Sequence, residues 1–131
     1  MARRKKSERR KLKDKCEKLA KTIVKIRDDY TCQMCHKRIE GVNCHGSHVI
    51  PVSRCGVRLS YDPINLKVLC YHCHLNIWHK EPTYSGKWFR EKFPERMEYL
   101  EEKMKIPPSP VSMIELQEIH DNLKEQLAAL S

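Results

Sequence analysis

Apolar residues recur at helical spacing in three stretches of the chain and lose that rhythm between the first and the second. Leu12, Cys16, Leu19, Ala20, Ile23 and Val24 form the first stripe. They predict an amphipathic helix that ends near Asp28-Asp29 and docks its apolar face on whatever follows. Trp88, Phe89, Phe93, Met97, Leu100 and Met104 give residues 86–105 an apolar face, so this stretch reads as mostly helical. Pro94 suits the first turn of a second helical segment within it. Ile106-Pro107-Pro108-Ser109-Pro110 is a stiff linker. After it, Ser112 and Glu115 have the spacing of a capping box, and Leu116, Ile119, Leu123, Leu127 and Leu130 make the last stripe. That stripe needs a cover. Either it folds back on the core or it pairs with a second copy in a homodimer through the C-terminal helix.

Residues 30–80 follow another pattern. Gly41, Gly46, Gly56, Pro51 and Pro63 cut them into short pieces. Val49-Ile50 and Lys67-Val68-Leu69 read as two short strands, and Tyr71 to Lys80 as a short helix that Pro82 ends. The order is strand, loop, strand, helix. The chain divides into a basic tail and helix (1–29), a central domain (30–105), a linker (106–110) and a C-terminal helix (111–131).

Charge narrows the partners. The 131 residues carry a formal net charge of +9, which favours a polyanion. Arg3, Arg4, Lys5, Lys6, Arg9, Arg10, Lys11, Lys13 and Lys15 crowd the first segment. No apolar run is long enough to span a bilayer, and none follows the basic start as in a secretory signal. The expected location is the cytoplasm, where thiols stay reduced, with no membrane partner. Seven cysteines, an odd number, then read as metal ligands in preference to disulfides.

Cys32-Gln33-Met34-Cys35 and Cys70-Tyr71-His72-Cys73 are two C-x-x-C units. Each presents two sulfurs on one tight turn, and two such units complete a tetrahedral zinc site. Four thiolates close the shell, so this zinc is structural. Cys16 belongs to the first helical stripe, and Cys44 and Cys55 have no assigned role.

Histidines cluster around the same elements. His45 and His48 precede the first strand, Asn65 precedes the second, and His74 and His79 lie on the short helix. Phosphodiester hydrolysis explains the choice. A water must lose a proton as it attacks, histidine titrates near neutral pH, and a divalent metal stabilises the leaving oxygen and the charged transition state. An asparagine orients the base or ligates the metal, and a histidine at a helix start ligates it.

Ser47-His48-Val49-Ile50-Pro51, Asn65-Leu66 and Leu69-Cys70-Tyr71-His72-Cys73-His74 together resemble the signature of HNH nucleases with zinc knuckles. The likeness covers roughly residues 27–105. It is similar above all to phage nucleases of the NinG/Rap recombination group, through Ile26-Arg27-Asp28, His45-Gly46-Ser47-His48 and Trp88-Phe89. The resemblance implies an α+β fold: a small ββα-metal (His-Me finger) core with a structural four-cysteine zinc site, flanked by N- and C-terminal helices. It implies that His48 is the general base, that Asn65 orients His48 or touches the metal, and that His74 ligates a catalytic Mg2+ or other divalent ion.

One position departs from the pattern. Many HNH proteins carry a metal-ligating acid where this chain has Ser47. His45 or His79 then fills the gap. Arg54, Arg58, Lys67, Arg9, Arg10 and Lys13 are the candidate phosphate contacts. The function expected is DNA endonuclease, on duplex or branched recombination intermediates. Ser47 favours the rival, a non-catalytic zinc module that only binds nucleic acid. A third reading makes the C-terminal leucine stripe the working part of an adaptor.

Overall fold

The computed structural model describes residues 5–130, so Arg3 and Arg4 of the basic run lie outside the described residues. Helix α1 spans Glu8–Arg27, and Ser7 caps it by accepting from the Arg10 N–H at 3.1 Å. Leu12, Cys16, Ala20, Ile23 and Val24 are its buried stripe, as their spacing predicts. The helix stops where Asp29 and Tyr30 take φ of 52° and 51°. Its end is locked to the sheet. The Asp28 carboxylate accepts from the Val68 N–H at 2.9 Å, and Arg27 donates to the Pro63 and Leu66 carbonyls at 2.7 Å each.

Strands β1 (His45–His48) and β2 (Leu66–Leu69) pair antiparallel, with Ser47 opposite Lys67 and His48 opposite Leu66. The first strand therefore lies upstream of Val49-Ile50, where the sequence reading places it. Strand formation here follows pairing with β2 and not β-branched propensity. Val49 and Ile50 leave the ladder and donate to Asn65 instead, to its carbonyl and its Oδ1, both at 2.8 Å.

Helix α2 (Val52–Ser60) occupies what reads as a loop. It is broken at Gly56, whose φ is 71°. A side chain there would be strained, and its Cβ would come within 3.0 Å of the Pro108 ring. Glycine thus lets the proline linker lie on α2.

Helices α3 (Pro82–Lys92) and α4 (Pro94–Met104) each have proline in the first turn. Phe89 and Leu100 bury completely in a second core with Val49, Cys55 and Leu59. Helix α5 (Met113–Ala129) is capped by Ser112, which accepts from the Glu115 N–H at 3.1 Å. Leu116 and Leu123 enter the main core against α1, so the chain itself covers this stripe. The result is a mixed α+β arrangement in which helices flank a two-stranded sheet, as expected. No helix among the described residues is long and apolar enough to cross a membrane.

Candidate metal centres and active-site cleft

Cys32 and Cys35 sit in a knuckle closed by the Thr31–Arg38 bridge. Cys70 follows the second strand, and Cys73 opens the π-helical segment after it. All four sulfurs lie within 4.8 Å of one another. Among the described residues this is the only group of three or more His, Cys, Asp or Glu that converges in this way. Zn–S bonds of about 2.3 Å put tetrahedral sulfurs about 3.8 Å apart. Cys35 Sγ and Cys70 Sγ are 3.8 Å apart. The Cys35 N–H donates to Cys32 Sγ at 3.5 Å and the Cys73 N–H to Cys70 Sγ at 3.4 Å. Burial pushes the Cys32 thiol up, but backbone hydrogen bonds from Cys35, Cys70 and Met34 outweigh it and hold Cys32 down at about 7. Burial and the neighbouring sulfurs push Cys73 the other way. The donor set and its spacing suit a structural zinc.

The helix after the second knuckle departs from ordinary geometry. Residues Cys73–Trp78 are π-helical, and the His79 N–H donates to the His74 carbonyl at 3.1 Å. Five residues per hydrogen-bonded turn bring His79 over His74, which an α-helix would not do. Single π-helical turns recur at functional sites.

Three imidazoles meet in a relay whose polarity is set at one end. The Val42 carbonyl can only accept, so neutral His45 donates from Nε2 at 3.0 Å and keeps Nδ1 as an acceptor. His45 Nδ1 lies 2.9 Å from His74 Nδ1, so His74 donates there and leaves its Nε2 unprotonated. That nitrogen faces His79 Nε2 at 3.0 Å. Two nitrogens about 2.0–2.1 Å from one cation sit about 3.0–3.4 Å apart, so this pair fits two ligand positions. Burial, then the neighbouring His79 and His45, hold His74 down at about 4, which keeps it neutral. His45 meets His74 on its other nitrogen, Nδ1.

His48 ends β1. The Ser60 carbonyl lies 2.9 Å from its Nε2 and can only accept, so the proton sits on Nε2 and Nδ1 carries the lone pair. Burial is the largest influence on this imidazole and lowers its pKa. His48, His74, His79, Lys21 and Arg54 line one cleft of about 640 Å³, walled on the other side by Ile50, Val52, Trp78 and Met97. Asn65 is corrected. It is fully buried, and its side chain bonds Ile50 at both the N–H (2.8 Å) and the carbonyl (3.1 Å), and the Leu59 carbonyl at 3.1 Å. It fixes the turn after His48 and does not touch the imidazole.

Three expected phosphate contacts are engaged elsewhere. Lys67 is fully buried, with Nζ 3.3 Å from the Trp78 ring centre and 3.1 Å from Ser47 Oγ. Pairing opposite Ser47 turns both side chains under the helical segment, away from any phosphate. Ser47 is thereby committed to Lys67. Arg58 forms a two-pronged pair with Glu115, at 2.6 and 2.8 Å, and donates to Ser109. Arg9 donates to the Val111 carbonyl at 2.7 Å, tying α1 to the start of α5. Arg10 is exposed beside Asp14, and Lys13 is partly exposed on the same helix. Arg54 is exposed at the cleft.

The histidines of the cleft and the thiol cluster both lie in one short stretch of chain. Residues 32–80 match the HNH endonuclease family model. No curated protein and no solved structure matches the chain significantly. The HNH segment holds every histidine of the cleft, but Lys21 comes from α1, outside it. Sequence reasoning missed Lys21, the Val42 and Ser60 carbonyls and the π-helical turn. For Lys21 the signal was hidden: a glycine inside a strand marks a close approach, but the sequence reading begins the first strand at Val49, beyond Gly46.

Proposed function

We propose that this protein is a metal-dependent endonuclease that hydrolyses DNA phosphodiester bonds in the cleft. The observation that carries the reading is His48, which is anchored through Nε2–H, so left with an unprotonated Nδ1, and lines the same cleft as His74 and His79. In this reading His48 Nδ1 takes the proton of the attacking water. His74 and His79 hold a divalent ion through Nε2, and His45 keeps His74 in the required tautomer. Such an ion stabilises the leaving oxygen and the charge that develops on the phosphate. Asn65 positions the turn that carries His48, and Arg54 and the exposed basic residues of α1 hold the DNA backbone.

The test is cleavage of supercoiled plasmid by the zinc-loaded protein with Mg2+, Mn2+ or Ni2+, against EDTA. Metal-dependent nicking is expected. DNA binding without cleavage in any metal would replace this reading with a binding module. Branched recombination intermediates are the substrate that the resemblance to phage NinG/Rap nucleases supports. Equal cutting of a four-way junction and a linear duplex would remove that refinement.

His45→Phe separates a ligand from a residue that orients one. Losing a hydrogen-bond partner behind a metal ligand costs about 10–100-fold in affinity. Titration calorimetry with Mn2+ on zinc-loaded His45→Phe should show weakening in that range. Complete loss of binding would make His45 a ligand in its own right.

A further inference from the structure

We propose that Lys21 of α1 forms a phosphate subsite in the cleft, holding the DNA backbone next to His48 and His74; the nuclease reading names the ligand, and the subsite rests on that reading. Three observations carry it. Lys21 lines the cleft together with His48, His74, His79 and Arg54. The described residues around this cleft include two fixed cations and three imidazoles and no carboxylate, which suits an anion. Gly46 in β1 is shaped to this lysine: a Cβ there would lie 2.9 Å from Lys21 Cγ and 3.5 Å from its Cβ and Cδ. The aliphatic stem therefore lies across the strand between His45 and His48, and the one glycine of that strand stands beneath it.

The ammonium is held ready and not consumed. Nζ lies 2.8 Å from Glu17 Oε1, one turn earlier, and both side chains are partly exposed. An exposed pair of this kind contributes little, so a phosphate oxygen exchanges for the carboxylate at small cost. No covalent step is involved. Lys21 exchanges one anionic partner for another.

Three variants test the subsite, each checked for zinc content and melting: Lys21→Met, Glu17→Gln and, as a control of equal charge, Lys124→Met on the exposed face of α5. Affinity for a duplex oligonucleotide is read by fluorescence anisotropy across a salt series, and cleavage kinetics are read alongside. Lys21→Met is expected to weaken binding about tenfold, with the loss in KM more than in kcat. The slope of log affinity against log salt should fall by about 0.9, the value for one phosphate contact. Lys124→Met should leave affinity within about twofold. Glu17→Gln, which frees the ammonium, should tighten binding. Affinity and slope unchanged in Lys21→Met while the unsubstituted chain cleaves would remove the subsite and leave the nuclease reading. Lys21-dependent affinity in a chain that never cleaves would do the reverse. If Lys21→Met fails to fold, Glu17→Gln decides, and unaltered affinity there overturns the proposal.

Discussion

Cys70→Ser, or removal of the metal by a strong chelator, is expected to abolish cooperative unfolding of this protein. The four-cysteine site joins segments that have little else in common. The first knuckle follows α1, and the second follows β2 and starts the π-helical segment. Direct bonds between knuckle and sheet are few, among them the Gln33 N–H on the Val68 carbonyl at 3.0 Å. Without metal the sulfurs would be crowded, with Cys32 drawn toward the thiolate and Cys73 held as a thiol. A structural zinc in small domains contributes on the order of 10–16 kcal/mol of apparent binding energy, against a net domain stability of about 5–15 kcal/mol. Its loss therefore exceeds what the small sheet and its cores retain. Metal analysis should find a single tightly held zinc per chain. Circular dichroism should show no cooperative thermal transition in Cys70→Ser. A variant that loses zinc yet melts like the parent would show that α1, α5 and the sheet stand without it.

What could be read from the sequence followed from how local each signal is. Helix α1 was legible because its stripe and its end at Asp28 are properties of one segment. Helix α5 was legible through Ser112, although Glu115 pairs with Arg58 and does not close the capping box. The knuckles were legible because ligand spacing is itself the geometry. What escaped depends on partners distant in sequence. Val49 and Ile50 look like a strand, but β2 pairs with the residues before them and Asn65 claims their N–H groups. Lys67 looks solvated, and strand register buries it against Trp78. Helix α2 carries a glycine at its centre and a proline before its start, and these mask the helical spacing of Val52, Cys55 and Leu59. The His74–His79 pair was half visible. Both residues stand out, but a period of 3.6 does not bring positions five apart together, and only the π-helical turn does.

His48→Ala is expected to lose about 10²–10⁴-fold in cleavage rate, the usual contribution of a positioned general base, while zinc content and melting stay near those of the parent. The magnitude rests on how completely this imidazole is prepared. Ser60 fixes it through a backbone carbonyl, so no side-chain substitution at that position removes the bond. Burial disfavours the imidazolium, and the Lys21 and Lys67 charges act in the same direction against the opposing Ser60 bond. The sign follows. A pKa below 6.5 keeps Nδ1 unprotonated at pH 6.5, so the acid limb of kcat/KM should fall below that value. The same shift links to folding. The unfolded chain binds a proton at this histidine more readily than the folded one. The stability His48 contributes is thus full above about pH 6.5 and is lost as pH falls through its folded value. A pH–rate profile of the parent beside His48→Ala separates the roles. Loss of the acid limb together with the rate assigns the proton transfer to His48. Cleavage within a few-fold of the parent, with the limb intact, would put the base elsewhere in the cleft and leave His48 as a support for the turn that Asn65 holds.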